Sequence, residues 1–242
     1  KTGSLNLLLY SVFRIGSPTD NISWQAYRDI VDSDDVAWAI PISLGDSHEG
    51  YRVVGTTQAF FEHFSFGKKR SLAFFEGEAF EGTFDAVLGS EVASALGYSV
   101  GTEIILAHGL ASTSFTKHDN QPFVVVGVLA PTGTPVDQTI HVRLEGIEAM
   151  HAGGSIVPIG AFTPANAPDT DFSEPESITA FMLGLKSRMS TFNVQRQINQ
   201  FAGEPLMAIL PGVALSELWQ MMSMFENVLR LISALVLLAA VL

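Results

Sequence analysis

The chain has 242 residues, 47% of them apolar, a formal net charge of −12 and no Cys. That length builds one large domain or two small ones, each with its own core. The acidic balance repels phosphate backbones, with no basic cluster larger than Lys68-Lys69-Arg70, so nucleic acid is excluded as a partner; the missing Cys excludes disulfides, thiolate catalysis and Cys-ligated zinc.

Ordinary Gly and Pro content argues for a folded chain. It begins on Lys1 rather than Met, which leads us to expect a fragment at both ends. Ser23 reads as the N-cap of a short helix whose apolar face is Trp24, Tyr27, Ile30 and Val31. VAWAIPISL then alternates as a strand: Val36, Trp38, Ile40, Ile42 and Leu44 point one way, Ala37, Ala39, Pro41 and Ser43 the other. Pro41 cannot donate to a ladder, which predicts an edge position or a bulge. GDSHEG is expected to turn the chain and YRVVGTT to return as a strand.

The stretch from Gln58 to Phe84 is rich in Phe, Gly and Glu without a clear period, and predicts irregular structure packed by its aromatics. In DAVLGSEVASALG a short strand ends at Gly89, Ser90 caps a helix with Val92 and Leu96 inward, and Gly97 closes it. TEIILAH and PFVVVGVLA predict two more strands, with Gly127 a candidate bulge. TIHV, the helix LEGIEAMH and a loop from Gly153 to Pro175 follow. SITAFMLGLK reads as a strand, TFNVQRQINQF as a helix with Val194, Ile198 and Phe201 inward, and LMAIL as another strand. A strand–helix–strand unit of that size is normally a right-handed parallel crossover.

Beyond Pro211-Gly212, Leu215, Leu218, Met222, Phe225, Leu229 and Ile232 recur at spacings of three and four, a narrow apolar stripe. No breaker separates this helix from Leu231–Leu242, where only Ser233 is polar. A span needs about 20 apolar residues, so those twelve predict the first half of a membrane helix rather than a whole one.

The sequence offers no convincing catalytic, cofactor or metal site. There is no GxxxxGK[ST] for a nucleotide, and Gly89-Ser90 lacks the G-x-S-x-G of a nucleophile turn. Glu148-x-x-His151 has an i, i+3 metal spacing but no second copy of the motif. The groups Asp46-Ser47-His48-Glu49, Glu76/Glu78/Glu81 and His118-Asp119-Asn120 read as wet, charged loops without EF-hand spacing. The aromatics Trp24/Tyr27 and Phe60/Phe61/Phe64 read as core.

Four stretches, in order, resemble the extracytoplasmic core domain of MacB-like ABC transporter permeases, the group that includes FtsX-like and lipoprotein-releasing permeases. They are AIPISLGDSHEGYRVVGTT, AVLGSEVASALGYSVGTEIIL, PFVVVGVLAPTGTPVDQTIHVRLEGIEAM and LSELWQMMSMFENVLRLISALVLLAAVL. Their order carries the resemblance, and the strongest block is Val87 to Leu106 with the Val-Val-Gly-Val strand after it.

The resemblance implies an α+β fold with mixed sheets in two lobes and a long C-terminal helix. Residues 1–57 and 176–212 would form a membrane-proximal lobe with β-α-β units. Residues 58–175 would be an inserted, mainly β lobe, and 213–242 a stalk helix entering a truncated span. It implies a domain on the periplasmic side of a bacterial inner membrane, between the first and second of four membrane helices. Partners would be the membrane, a separate ATP-binding subunit on the cytoplasmic side, a second permease copy and a periplasmic partner protein. The expected role is transmission of ATP-driven motion in export, efflux or lipoprotein release, without enzymatic activity and without a cofactor. The residues expected to carry it are Leu215, Leu218, Met222, Phe225 and Leu229, on a coupling helix. Arg230 then flanks the span on the outside, against the positive-inside tendency. The rival readings are an anchored binding module without a motor and an extracytoplasmic hydrolase using Asp, Glu and His of the acidic loops.

Overall fold

A computed structural model describes residues 3–16, 20–108, 122–152 and 174–241. Its helices are α1 (Ser4–Ser11), α2 (Trp24–Val31), α3 (Ala59–His63), α4 (Ser90–Leu96), α5 (Leu144–Ala152), α6 (Thr191–Asn199) and α7 (Pro211–Val241). The strands up to Gly89 are β1 (Ile22–Ser23), β2 (Val36–His48), β3 (Tyr51–Thr56), β4 (Ser65–Phe66), β5 (Arg70–Ser71), β6 (Phe74–Gly77) and β7 (Asp85–Leu88). After it come β8 (Glu103–Ile104), β9 (Ala107–His108), β10 (Phe123–Leu129), β11 (Thr139–Arg143), β12 (Ser177–Ile178) and β13 (Ala180–Leu185). The chain divides into two compact units, residues 17–194 and residues 1–16 with 195–242.

In the larger unit one mixed sheet runs β13-β2-β3-β11-β7-β10-β6, with β8 added to β10 and β9 to β2. The parallel pairs are β10 with β7 and β11 with β3; between β7 and β10 the described chain holds α4, β8 and β9. Alternation sorts β11 between two faces. Ile140 and Val142 join Leu88, Val125, Ile147 and Met150 in the main core. His141 lies on the other face, its ring 4.7 Å from that of Phe60 and 6.0 Å from that of Phe61.

Ser23 caps α2 as expected: its hydroxyl accepts from the Ala26 amide at 3.2 Å. Tyr27 packs between Trp24 and Phe181, at ring separations of 4.6 and 5.3 Å. Burial pushes its phenol up to about 12, so it stays neutral.

β2 is longer than the sequence suggests. Gly45 to His48 belong to it, and only Glu49 and Gly50, both at positive φ, make the turn. β2 also changes neighbours along its length. Val36–Ile42 pair with β13, and Ser43–His48 with β3 across a bulge after Leu44. Pro41 sits beside this exchange, opposite Phe181, where β2 is paired on that side alone, so it holds the edge position expected of it. Its carbonyl accepts the Thr56 hydroxyl at 2.8 Å, so its amide side faces β3 just past the end of their pairing and its missing donor breaks no ladder.

Four further expectations are corrected. The Phe-rich stretch is packed by its aromatics but is not irregular: it holds α3, the β4–β5 hairpin and the terminal strand β6. The N-cap of α4 is Gly89, not Ser90, because the chain there presses against Pro135–Gln138; a Cβ on Gly89 would lie 2.2 Å from the Val136 carbonyl oxygen. TEIILAH splits into β8 and β9, which serve different strands. LMAIL forms no strand. Pro205 and Pro211 bracket it, and α6 side chains satisfy its middle: the Ala208 amide donates to Asn199 Oδ1 at 2.8 Å, and its carbonyl accepts from Gln195 Nε2 at 3.1 Å. Gly127 is the bulge expected, with β10 slipping against β7 between Val125 and Gly127.

Candidate coupling helix

The smaller unit is organised by α7. Pro211 opens it, where a fixed φ suits the first helical position and the absent amide is no loss. The Leu210 carbonyl accepts from the Val213 and Ala214 amides at 2.9 and 3.0 Å. No Gly or Pro follows Gly212, so the 31 residues run unbroken for about 46 Å at 1.5 Å each.

α1 packs on the first turns of α7, and the Ser4 hydroxyl donates to Glu217 Oε2 at 3.2 Å. Ala214 is buried whereas Met221, Met222 and Met224 are exposed. Within α1, Leu8 and Tyr10 are buried, the Ser11 hydroxyl bonds back to the Leu7 carbonyl, and Arg14 donates to the Ser11 carbonyl.

The five stripe residues divide by burial. Leu215 and Leu218 are half-buried; Met222, Phe225 and Leu229 are 55%, 65% and 64% exposed. The apolar face is also wider than a stripe. At about 100° per residue, Met221 and Val228 fall beside it next to Ile232, giving an apolar arc of roughly 140°. Opposite lie Ser216, Gln220, Ser223, Asn227 and Arg230, at spacings of four, three, four and three. The sequence reading missed this polar stripe, although its period was visible. Arg230 pairs with Glu226 at 2.6 Å, an exposed i, i+4 contact that contributes a few tenths of a kcal/mol. Pro211–Ala240 is long and apolar enough to cross a membrane, and its most apolar 18-residue window is wholly unburied.

The other candidate residues stay apart. Asp46, Ser47 and His48 are buried in β2 rather than in a wet loop. His48 Nδ1 is 2.7 Å from the Ile105 carbonyl oxygen, and Nε2 is 3.1 Å from the Tyr98 hydroxyl. Glu49 is exposed at the hairpin tip, and Glu76, Glu78 and Glu81 are exposed in and after β6. Glu148 lies half-buried on α5, its carboxyl held above the usual range by burial and then by the charge of Glu176. The His151 side chain and all of His118-Asp119-Asn120 lie outside the described residues. Trp24 and Phe60/Phe61/Phe64 pack as expected, against Tyr27 and His141 respectively. Among the described residues no three His, Asp or Glu side chains converge as a metal would need.

One structurally decisive side chain was overlooked. The buried Asp137 carboxylate accepts from the Thr132 amide (2.8 Å), the Thr132 hydroxyl (2.8 Å) and the Gly133 amide (2.7 Å), and so locks the TGTPVD loop. Its signal was the spacing of Thr134 and Asp137 around a Pro, a helix-start pattern.

Residues 3–201 match the family model described as MacB-like periplasmic core domain. No curated protein matches the chain. Among solved structures, the periplasmic region of MacB from Actinobacillus actinomycetemcomitans is similar at 10% identity and a TM-score of 0.53, covering 86% of each chain. The extracellular domain of the noncanonic ABC-type transporter YknZ from Gram-positive bacteria matches at 12% identity and a TM-score of 0.48, over 78% of this chain and 90% of that one.

Proposed function

Because the chain belongs to the MacB-like periplasmic core domain family, a family of transporter permease domains rather than of enzymes, we propose that it transmits ATP-driven motion across a membrane through α7. The observation that supports this most is the continuity of α7. One helix without a breaker runs from its packing on α1 into a fully exposed apolar stretch. A rigid helix crossing a bilayer passes a tilt or a shift of a few ångström from one side to the other. On this reading Leu215 and Leu218 seat α7 on α1. Met222, Phe225 and Leu229 receive the helix that leads into α1 from the first membrane span, a reading supported by the Ser4–Glu217 hydrogen bond, which sets the start of α1 beside α7 just above those residues.

The proposal keeps the inserted lobe at 58–175, which contributes β6, β7, β10 and β11 to the sheet that β3 continues. It places the domain at the outer face of a bacterial inner membrane. An ATP-binding subunit lies on the cytoplasmic side, and a second permease copy and a periplasmic protein are the remaining partners. The cargo class is export, efflux or lipoprotein release.

The test is Asn227→Pro in the complete transporter. A proline there removes one backbone donor and clashes with the preceding turn, costing about 3 kcal/mol within the helix. The sheet unit is built without α7 and should keep its circular dichroism, and the protein should still insert. ATP-driven transport should be lost. Normal transport by this variant would make α7 a passive tether, and the domain an anchored binding module.

A further inference from the structure

Sulfur in this chain is carried by methionine alone, with seven Met and no Cys. Three of the seven fall within four residues of α7: Met221, Met222 and Met224, which are 52%, 55% and 70% exposed. Met189 is the other exposed one, whereas Met182 and Met207 are half-buried and Met150 lies in the main core. All three on α7 precede Arg230, and Leu231–Leu242 holds none. The sulfur of α7 is thus confined to the part outside the expected span.

Helix geometry separates the three. Met222 lies on the stripe with Phe225 and Leu229. Met221 borders it, and Met224 falls about 100° from Phe225, the nearest stripe position. Met221 and Met224, three residues apart, are about 60° from each other and form one exposed pair. A partner helix seated on the stripe covers Met222 and leaves Met224 in water, with Met221 at the rim of the contact.

We infer that Met221 and Met224 are a reversible oxidation site, and that their oxidation turns coupling down. The reagent is a small uncharged oxygen-transfer oxidant, hydrogen peroxide or undissociated hypochlorous acid, which a chain of net charge −12 does not repel. The thioether sulfur takes the oxygen as the O–O or O–Cl bond breaks. Sulfur loses two electrons, and the oxidant leaves as water, or as chloride and a proton. The sulfoxide is polar and chiral where the thioether was flexible and apolar, so at the rim of an apolar seam it weakens the seat of the partner helix. Sulfoxide reductases, one for each epimer, reverse the step with a dithiol. A domain of a periplasmic family lies outside the thiol pools of the cytosol, and the chain has no Cys of its own to react first. The effect on coupling rests on the role proposed for α7; the modification does not.

In the complete transporter, a brief pulse of hypochlorous acid followed by peptide mass spectrometry should show one added oxygen at Met221 and Met224 several-fold sooner than at Met182 and Met150. ATP-driven transport should fall several-fold and return after treatment with both reductases. Met221→Leu with Met224→Leu keeps apolar side chains of similar size and should hold its transport through the pulse. Met189→Leu should remain as sensitive as the parent chain, although Met189 is 91% exposed. Reaction at Met221 and Met224 no faster than at Met150, or equal loss of transport in the double-leucine variant, would overturn the inference. Met222 reads the role of α7 separately. Covered by a partner helix it should lag behind Met224, and a Met222 that keeps pace would remove the seam while leaving the oxidation site standing.

Discussion

At the scale of single residues, the positions that matter most are those where the backbone leaves no alternative. Asp137 takes three hydrogen bonds in a buried loop. Asp137→Ala strands the Thr132 and Gly133 amides without an acceptor, and should cost on the order of 3 kcal/mol. Urea denaturation should show the loss as a lower midpoint at unchanged slope, with Asp137→Asn intermediate because one acceptor survives. A wild-type midpoint for Asp137→Ala would mean that water replaces the carboxylate. Glu148 acts in the opposite sense. Burial and Glu176 raise its folded pKa above the unfolded one, so the fold disfavours the carboxylate, and that penalty stands at every pH above the folded pKa. It fades as pH falls through that value toward the ordinary range. Glu148→Gln should therefore stabilise the chain at neutral pH, and the gain should vanish below about pH 4. A gain that grew on acidification would reverse the sign argued here.

At the scale of elements, legibility followed the strength of the local signal. The Ser23 cap, the alternation from Val36 to Leu44 and the Gly127 bulge were all readable, because each is decided by side chains within a few positions. LMAIL misled because its apolar run satisfies strand propensity, whereas two α6 side chains and two prolines decide its fate from outside it. The strand content of the Phe-rich stretch was hidden for a related reason: β6 is four residues long and owes its existence to β10, some fifty residues later. Helix α7 was legible in its period but not in its burial, since burial depends on α1. That dependence gives a test. Leu218 is half-buried where α1 packs, while Leu229 is exposed. Leu218→Asp should loosen α1 from α7 and raise amide exchange across Ser4–Ser11, at a cost of about 2 kcal/mol. Leu229→Asp should leave that exchange unchanged in the isolated chain, and should disturb only the complete permease. Equal effects of the two on α1 would show that the lower stripe already has a partner within the chain.

At the scale of the whole molecule, the sheet unit and the helical unit bury their cores by different means. Residues 17–194 enclose theirs between strands and the short helices α4 and α5. In residues 195–242 the long helix leaves most of its apolar surface open. After Arg230 that surface is continuous. Leu231, Ile232, Leu235, Val236, Leu237 and Leu238 are each more than half exposed, and at about 2 kcal/mol per side chain their transfer to hydrocarbon is worth on the order of 10 kcal/mol. No acidic or basic residue follows Arg230 to oppose that transfer, whereas Glu217, Glu226 and Arg230 make burial of the preceding turns costly. The membrane boundary should thus fall at Arg230–Leu231. A chain stopped after Arg230 should be monomeric in water without detergent and keep the near-ultraviolet circular dichroism of the sheet unit, whose aromatic packing lies in residues 24–181. The 242-residue chain should instead co-float with lipid vesicles. If the shortened chain still floats, the exposed Trp219, Met221, Met224 and Phe225 are themselves enough for lipid binding. The boundary would then move up the helix by about three turns, shortening the part of α7 outside the membrane from about 30 Å to about 14 Å.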